Sequence, residues 1–260
     1  MIQIKQLYKA YKKNEVLKGI DLSFDKSGIT AVLGPNGSGK TTLIKCILGM
    51  VIPDKAKITV FDEDIKGQWM YRNQIDYLPQ IAQFPENLTV NQLLNMIKDI
   101  RQQPANDKKL IDIFGLQPFL DKRLGSLSGG TKQKVNLTLA LMYDNPLMIL
   151  DEPTNGLDPV ALIRLKDYLK AEKANGKTIL MTTHIMSLVE ELADEIVFLL
   201  EGKIYFRGSV KELLANENAS NIERAIAHIL TDDLSKKELE KPLKAAINGK
   251  NVSKSSIINN

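Results

Sequence analysis

Apolar positions in the first part of the chain fall in short β-rich runs. Residues 2–32 read as short strands, and "GITAVLG" (28–34) is an apolar run that ends in glycine. "TTLIKCILGM" (41–50) reads as a helix behind it, and "KITVF" and "IDYLPQ", both within 57–80, give further strand signals. From about 86 to 144 the period changes. Val90, Leu93, Leu94 and Ile97 recur at i, i+3, i+4 and i+7, the spacing of one helix face. Thr89 stands where a helix cap belongs, Pro104 breaks the pattern, and "KKLIDIFGL" resumes it. "LMIL" (147–150), "TILMTT" (178–183) and "EIVFLLEG" (195–202) then read as buried strands, with a helix over 159–174 between the first two. Strands alternating with helices predict a parallel α/β sheet, here interrupted by a helical insert.

The pattern after Gly208 is helical and polar, and the Asn/Ser/Lys-rich end is expected to be disordered. Charge sharpens this division. The 260 residues carry a net charge of +4. Residues 241–260 hold Lys241, Lys244, Lys250 and Lys254 and no acid, which leaves 1–240 formally neutral. The body therefore lacks the basic excess of a nucleic-acid binder. The tail reads as a solvated end, with contact to an anionic membrane surface as the other reading. Cys46 is the one cysteine, so no internal disulfide can form, which fits a reducing compartment. With Ile44, Ile47 and Leu48 around it, it reads as a buried apolar residue. No signal-peptide h-region and no run of about 18 apolar residues is visible. A cytoplasmic chain is expected, meeting a membrane only as a peripheral partner.

The chemistry begins at "GPNGSGKT" (34–41), a G-x-x-x-x-G-K-[ST] turn placed after an expected strand and before an expected helix. Along Gly34, Pro35, Asn36, Gly37, Ser38 and Gly39, the expected binding turn, the glycines let backbone N–H groups curl around phosphates, Gly37 and Gly39 being free to take positive φ. The following helix start, with Thr42, adds a favourable dipole. Lys40 can reach the β- and γ-phosphates, and Thr41 can ligate Mg²⁺. "LMILDE" ends an apolar strand in Asp151 and Glu152. Asp151 can hold the metal through its water shell, and Glu152 can polarise an attacking water. His184 follows another strand and reads either as a contact to the γ-phosphate or the water, or as an ordinary loop residue. "LSGGTKQKV" (127–135) places Ser128, Gly129 and Gly130 at a second helix start that can bind an anion. One phosphate turn leaves no internal use for a second, unless it closes over the nucleotide of another subunit.

At these residues the sequence resembles the ATP-binding cassette (ABC) ATPases. The order "GPNGSGKT", Gln80, "LSGGTKQ", "LMILDEP", "GLD" (156–158) and His184 carries the resemblance across residues 2 to about 208. It implies an α/β fold, a P-loop NTPase of ABC type with a mixed β-sheet core, an antiparallel β subdomain and an inserted helical subdomain. The ATPase domain would span 1–208 with its insert at about 86–144, followed by a helical extension over 209–240 and a disordered basic tail over 241–260. The resemblance also implies roles. Tyr11 would stack on adenine, although a surface aromatic before a turn reads the same way. Gln80 would ligate Mg²⁺ and sense the γ-phosphate. Ser128 to Gly130 would bind a partner's ATP, Glu152 would be the general base, Asp158 would couple two sites across a homodimer, and His184 would be a switch. Two departures fall in turns: Ala56 replaces a usual glycine in "PDKAKI", and "FDED" lacks one.

Among ABC ATPases the expectation is the nucleotide-binding subunit of a membrane transporter, with a separate integral membrane permease, membrane contact only through it, and a place on the inner face of the cell membrane. The alternative is a soluble ABC ATPase of translation or DNA repair. Such translation factors usually carry two cassettes and repair enzymes a long coiled coil, and this chain has neither. The stretch 127–159 is similar to subunits that serve bacterial exporters. The stretch 65–101 is similar to ATPase subunits associated with copper-dependent nitrous oxide reductase maturation, and the alternative there is a transporter for an unrelated exported substrate. The two histidines, single cysteine and lack of a Met cluster leave the chain itself without a copper site. Within "YLPQIAQFPENLTV" (77–90), Gln80 is assigned to the nucleotide. Phe84, Pro85 and Glu86 read as a docking surface for the permease, or Phe84 as part of the insert's own core.

Overall fold

A computed structural model describes residues 1–25 and 27–231. The expected tail at 241–260 and most of the end of the helical extension lie outside those residues. The chain divides into two units, Met1–Ser209 and Val210–Asn260. The second begins with a helix over Val210–Asn216 and continues in helical backbone over 222–231.

The first unit holds two sheets. The first is antiparallel and pairs β1 (Ile2–Tyr11) with β2 (Asn14–Phe24) and β4 (Lys55–Val60), with the two-residue β5 (Glu63–Asp64) at its edge. β1 and β2 are 10 and 11 residues long, not the short strands expected. Register shifts along the pair let the strands bend without ending. The turn from β4 to β5 places Phe61 and Asp62 at φ of 53° and 66°, so it takes the left-handed conformation without the glycine that usually relieves it.

The second sheet contains β3 (Gly28–Leu33), β6 (Ile75–Leu78), β7 (Leu147–Asp151), β8 (Thr178–Thr182), β9 (Glu195–Leu200) and β10 (Lys203–Gly208), in the order β10-β9-β3-β8-β7-β6. Every pair is parallel except β9 with β10. β7 and β8 are buried along their whole length, as strands covered on both faces must be. The sequence reading missed β10. It is an edge strand whose residues alternate between exposed and half-buried, with no continuous apolar run to mark it.

Helix α1 (Lys40–Ile47) packs Leu43, Ile44, Cys46 and Ile47 into the core shared with both sheets. It stops earlier than expected because Gly49 takes φ 61°, a left-handed termination. Burial pushes the Cys46 thiol up to about 11, in keeping with an apolar role. Between β6 and β7 lie α2 (Val90–Arg101), α3 (Asp107–Phe114) and α4 (Gly129–Leu141). Thr89 caps α2 in a reciprocal pair with Gln92: Gln92 N donates to Thr89 Oγ1 at 3.2 Å and Thr89 N donates to Gln92 Oε1 at 2.9 Å. α5 (Pro159–Ala174) and α6 (Met186–Leu192) connect β7 to β8 and β8 to β9. Asp158 caps α5 by accepting from Ala161 N at 2.9 Å. Counting the helix over Val210–Asn216 as α7, no helix among the described residues is long and apolar enough to cross a membrane.

Candidate active site

β3, β6, β7 and β8 run parallel, so their carboxyl ends open on one edge of the sheet, where α/β folds bind ligands. The phosphate turn leaves β3 and enters α1. Gly34, Gly37 and Gly39 have φ of 148°, 81° and 107°, so the two glycines expected to need positive φ have it. A Cβ on Gly34 would lie 2.1 Å from the Leu199 carbonyl oxygen, which leaves room for glycine alone. Lys40 Nζ donates to Gly34 O at 2.7 Å and Pro35 O at 3.2 Å. Partial burial lowers the Lys40 pKa, while the charges of Glu152 and Asp151 act to raise it. The ammonium is thereby held among carbonyls and acids at the mouth of the turn.

A cavity of about 400 Å³ opens over this turn. Asn14, Val16, Asn36, Gly37, Gly39, Lys40, Thr41, Thr42, Gln80, Asp151 and Glu152 line it. The fold thus gathers most of the residues assigned from sequence. Gly34, Pro35 and Ser38 do not line it; Ser38 lies buried in the turn. Asp151 ends β7 and accepts from Thr41 Oγ1 through Oδ2 at 3.2 Å. Thr41, Gln80 and Asp151, which line the cavity, each carry a side-chain oxygen, the hard donor type that suits Mg²⁺. Glu152 takes φ 53°, a left-handed conformation of the kind that costs a non-glycine residue roughly 1–3 kcal/mol and clusters at functional sites. Its backbone N–H is shared between Thr182 O at 3.2 Å and Thr182 Oγ1 at 3.0 Å. His184 Nδ1 lies 2.8 Å from Glu152 Oε2, with most of its ring exposed.

Two assigned groups lie elsewhere. Tyr11 ends β1 half-exposed, with Lys9 Nζ 5.4 Å from its ring centre, and does not line the cavity. Ser128, Gly129 and Gly130 begin α4 and do not line it either. Ser128 caps the helix, accepting from Thr131 N at 3.3 Å.

Several site residues escaped the sequence reading. Asn14 and Val16 line the cavity because of how β2 is paired, which no local pattern reveals. Asn136 is a buried polar residue on α4 whose Nδ2 donates to Pro79 O at 3.2 Å, fixing the chain one residue before Gln80. A polar residue between Val135 and Leu137 on a buried face was the available signal. Lys134 pairs with Asp158 Oδ2 at 2.5 Å and ties the helix after Ser128 to the turn beyond Glu152. That contact, with the Ala161 N–H, holds the Asp158 carboxyl below its ordinary pKa.

A phosphate turn after one central strand and an acid pair after another, two positions along the sheet, is the layout of a P-loop nucleotide triphosphatase. The family model described as "ABC transporter" matches residues 17–155. Over 258 residues the chain is 30% identical to "Uncharacterized ABC transporter ATP-binding protein YxlF" of Bacillus subtilis (strain 168), covering 97% of this chain and 84% of that protein. It is 33% identical over 221 residues to "Nod factor export ATP-binding protein I" of Rhizobium sp. (strain N33), covering 82% of this chain and 72% of the relative. Among solved structures, "Structure of ATP binding subunit of ABC transporter" superposes with a TM-score of 0.82 at 27% identity, over 88% of this chain and 99% of that one. The chain belongs to the ABC transporter family. It is an ATP-binding cassette that binds ATP and hydrolyses it to power transport.

Proposed function

We propose that this chain is the ATP-hydrolysing subunit of a membrane exporter, driving a separate permease through a homodimer that sandwiches two ATP molecules. One observation carries the reading. The cavity of a single chain holds the phosphate turn, Gln80, Asp151 and Glu152, whereas Ser128 to Gly130 present a second anion-binding helix start away from it. That surplus start has a use when it closes over the nucleotide of a second copy. Asp158, paired with Lys134 of the helix that Ser128 begins, would couple the two sites in this reading.

In this reading the turn and Lys40 hold the phosphates, and Tyr11 stacks on the base. Thr41 and Gln80 would hold Mg²⁺, and Asp151 would reach it through water. The metal, when bound, neutralises phosphate charge. Glu152 accepts the proton of the attacking water, and His184 holds its carboxylate in place. Export accords with the similarity to the Nod factor export ATP-binding protein. The narrower proposal, service to nitrous oxide reductase maturation, rests on the pattern at 65–101 alone.

Met50, Ile52, Trp69, Met70 and Ile81 are each more than half exposed. Tyr71 Oη donates to Ile47 O at 3.0 Å and Arg72 Nη2 to Gly49 O at 3.2 Å, which brings the 69–72 segment against the turn after α1. Exposed large apolar side chains on these two segments, with Ile81 next to Gln80 in the chain, support a docked permease at the inner face of the membrane. Phe84 is half-buried, so Ile81 is the apolar residue this hinge offers.

Mixing tests the shared site. A Ser128→Arg variant and a Lys40→Ala variant, each inactive alone, form mixed dimers with one intact composite site. ATP turnover on mixing returns to roughly a quarter of the parent when subunits pair at random. No recovery on mixing sinks the shared site.

A further inference from the structure

Thr182 closes β8 two residues before His184 and is fully buried. The pairing of β7 with β8 sets it directly beside Asp151. Its hydroxyl carries one proton, which it donates to Asp151 Oδ1 at 2.6 Å. The same oxygen accepts the Glu152 N–H at 3.0 Å. A single hydroxyl therefore holds both members of the acid pair.

The bonding divides the Asp151 carboxylate. Oδ1 is engaged by Thr182, inside the sheet. Oδ2 is left to the side of Thr41, where it accepts that hydroxyl at 3.2 Å. Removing the Thr182 hydroxyl would leave Asp151 free to rotate or to stay buried with an unsatisfied oxygen. It would also reduce the support of a Glu152 backbone held at φ 53° to the 3.2 Å contact with the Thr182 carbonyl. A β-branched residue at this place is ordinary for a strand interior, but valine would fill the space equally well. The hydroxyl is what the acid pair uses.

We propose that Thr182 is a positioning residue for ATP hydrolysis, setting through its hydroxyl which oxygen of Asp151 faces the metal position beside Thr41 and how Glu152 enters the cavity. This rests on the roles given above to Asp151 and Glu152. Partners behind a metal site act in this way, and removing one typically costs about 10–100-fold in metal affinity or activity.

The test uses Thr182→Val, Thr182→Ala and Thr182→Ser in the full chain, with thermal melts alongside. One readout is steady-state ATP turnover. The other is the Mg²⁺ concentration that half-saturates binding of a fluorescent ATP analogue, with binding in EDTA as the metal-free reference. Valine and alanine should raise the half-saturating Mg²⁺ and lower turnover about 10–100-fold while leaving metal-free affinity unchanged. Serine, which restores the hydroxyl, should return both to within about threefold of the parent. If the valine variant does not fold, alanine against serine makes the same comparison. Parent-like Mg²⁺ dependence without the hydroxyl, or a serine variant as impaired as valine, overturns the proposal. Glu152→Gln run in parallel separates the two questions: surviving turnover there refutes the base, and the Mg²⁺ dependence still decides Thr182.

Discussion

His184 Nδ1 lies 2.8 Å from Glu152 Oε2, though 32 residues separate them in the chain. The contact exists because β7 and β8 are neighbours and both end at the same edge of the sheet. A carboxylate can only accept, so with Glu152 ionised the imidazole proton sits on Nδ1. The histidine thus orients the acid that the backbone already holds in a left-handed conformation.

Glu152→Gln should keep ATP binding and lose about 10²–10⁴ in hydrolysis, the usual contribution of a general base. The ATP-bound dimer should then persist, visible as a dimer by size-exclusion chromatography with ATP. Lys40→Ala should instead weaken binding of a fluorescent ATP analogue. Turnover near the parent level in the glutamine variant would show that another group takes the proton.

Ile81 should matter to the partner and not to the chemistry. Ile81→Ser in the isolated subunit should leave ATP turnover within about twofold, since exposed substitutions are usually near neutral for stability. Its affinity for the permease, measured with both co-expressed and reconstituted, should fall about tenfold or more, as for a buried apolar anchor of an interface. Phe84→Ala, at a half-buried position, should also lower the melting temperature. Equal affinity for the parent and the Ile81 variant would place the docking surface elsewhere.

Asp76 predicts a pH dependence of stability. Burial raises its carboxyl from the ordinary 3.8 to about 7, against the opposing effects of an Asn145 bond at 2.6 Å and the charges of Lys177 and Arg101. Between pH 4 and 7 the folded chain keeps this proton and the unfolded chain does not. Stability from this group is therefore greatest at the acid end, falls as pH rises through that window, and is level above it. Asp76→Asn should be more stable than the parent at pH 8, by an amount on the order of a few kcal/mol that shrinks towards pH 4. Urea melts of both proteins at pH 4.5, 6 and 8 measure the difference. A gap that does not change with pH would remove Asp76 as its source.

The phosphate turn, the acid pair, His184 and Gln80 were legible because each sits where a strand stops, and the apolar runs that make the strands are short and dense. Thr89 was legible as a cap because its bond is local, to the third residue of the helix it begins. β10 was not, since an edge strand needs no apolar run. Asn14 and Val16 were not, since strand pairing alone decides which residues of β2 face the cavity. Lys134 gave no sign of its role, because its partner Asp158 comes from beyond β7.

By itself the sequence determined the local chemistry: which glycines can turn, which acids end a strand, and which residues can begin a helix. These depend on a residue and its near neighbours along the chain. Only the tertiary structure decided that the Thr182 hydroxyl holds Asp151 and Glu152, that Asn136 anchors Pro79, and that Ser128 to Gly130 lie away from the cavity of their own chain. Those relationships come from strand order and helix packing, which set distances between residues far apart in sequence.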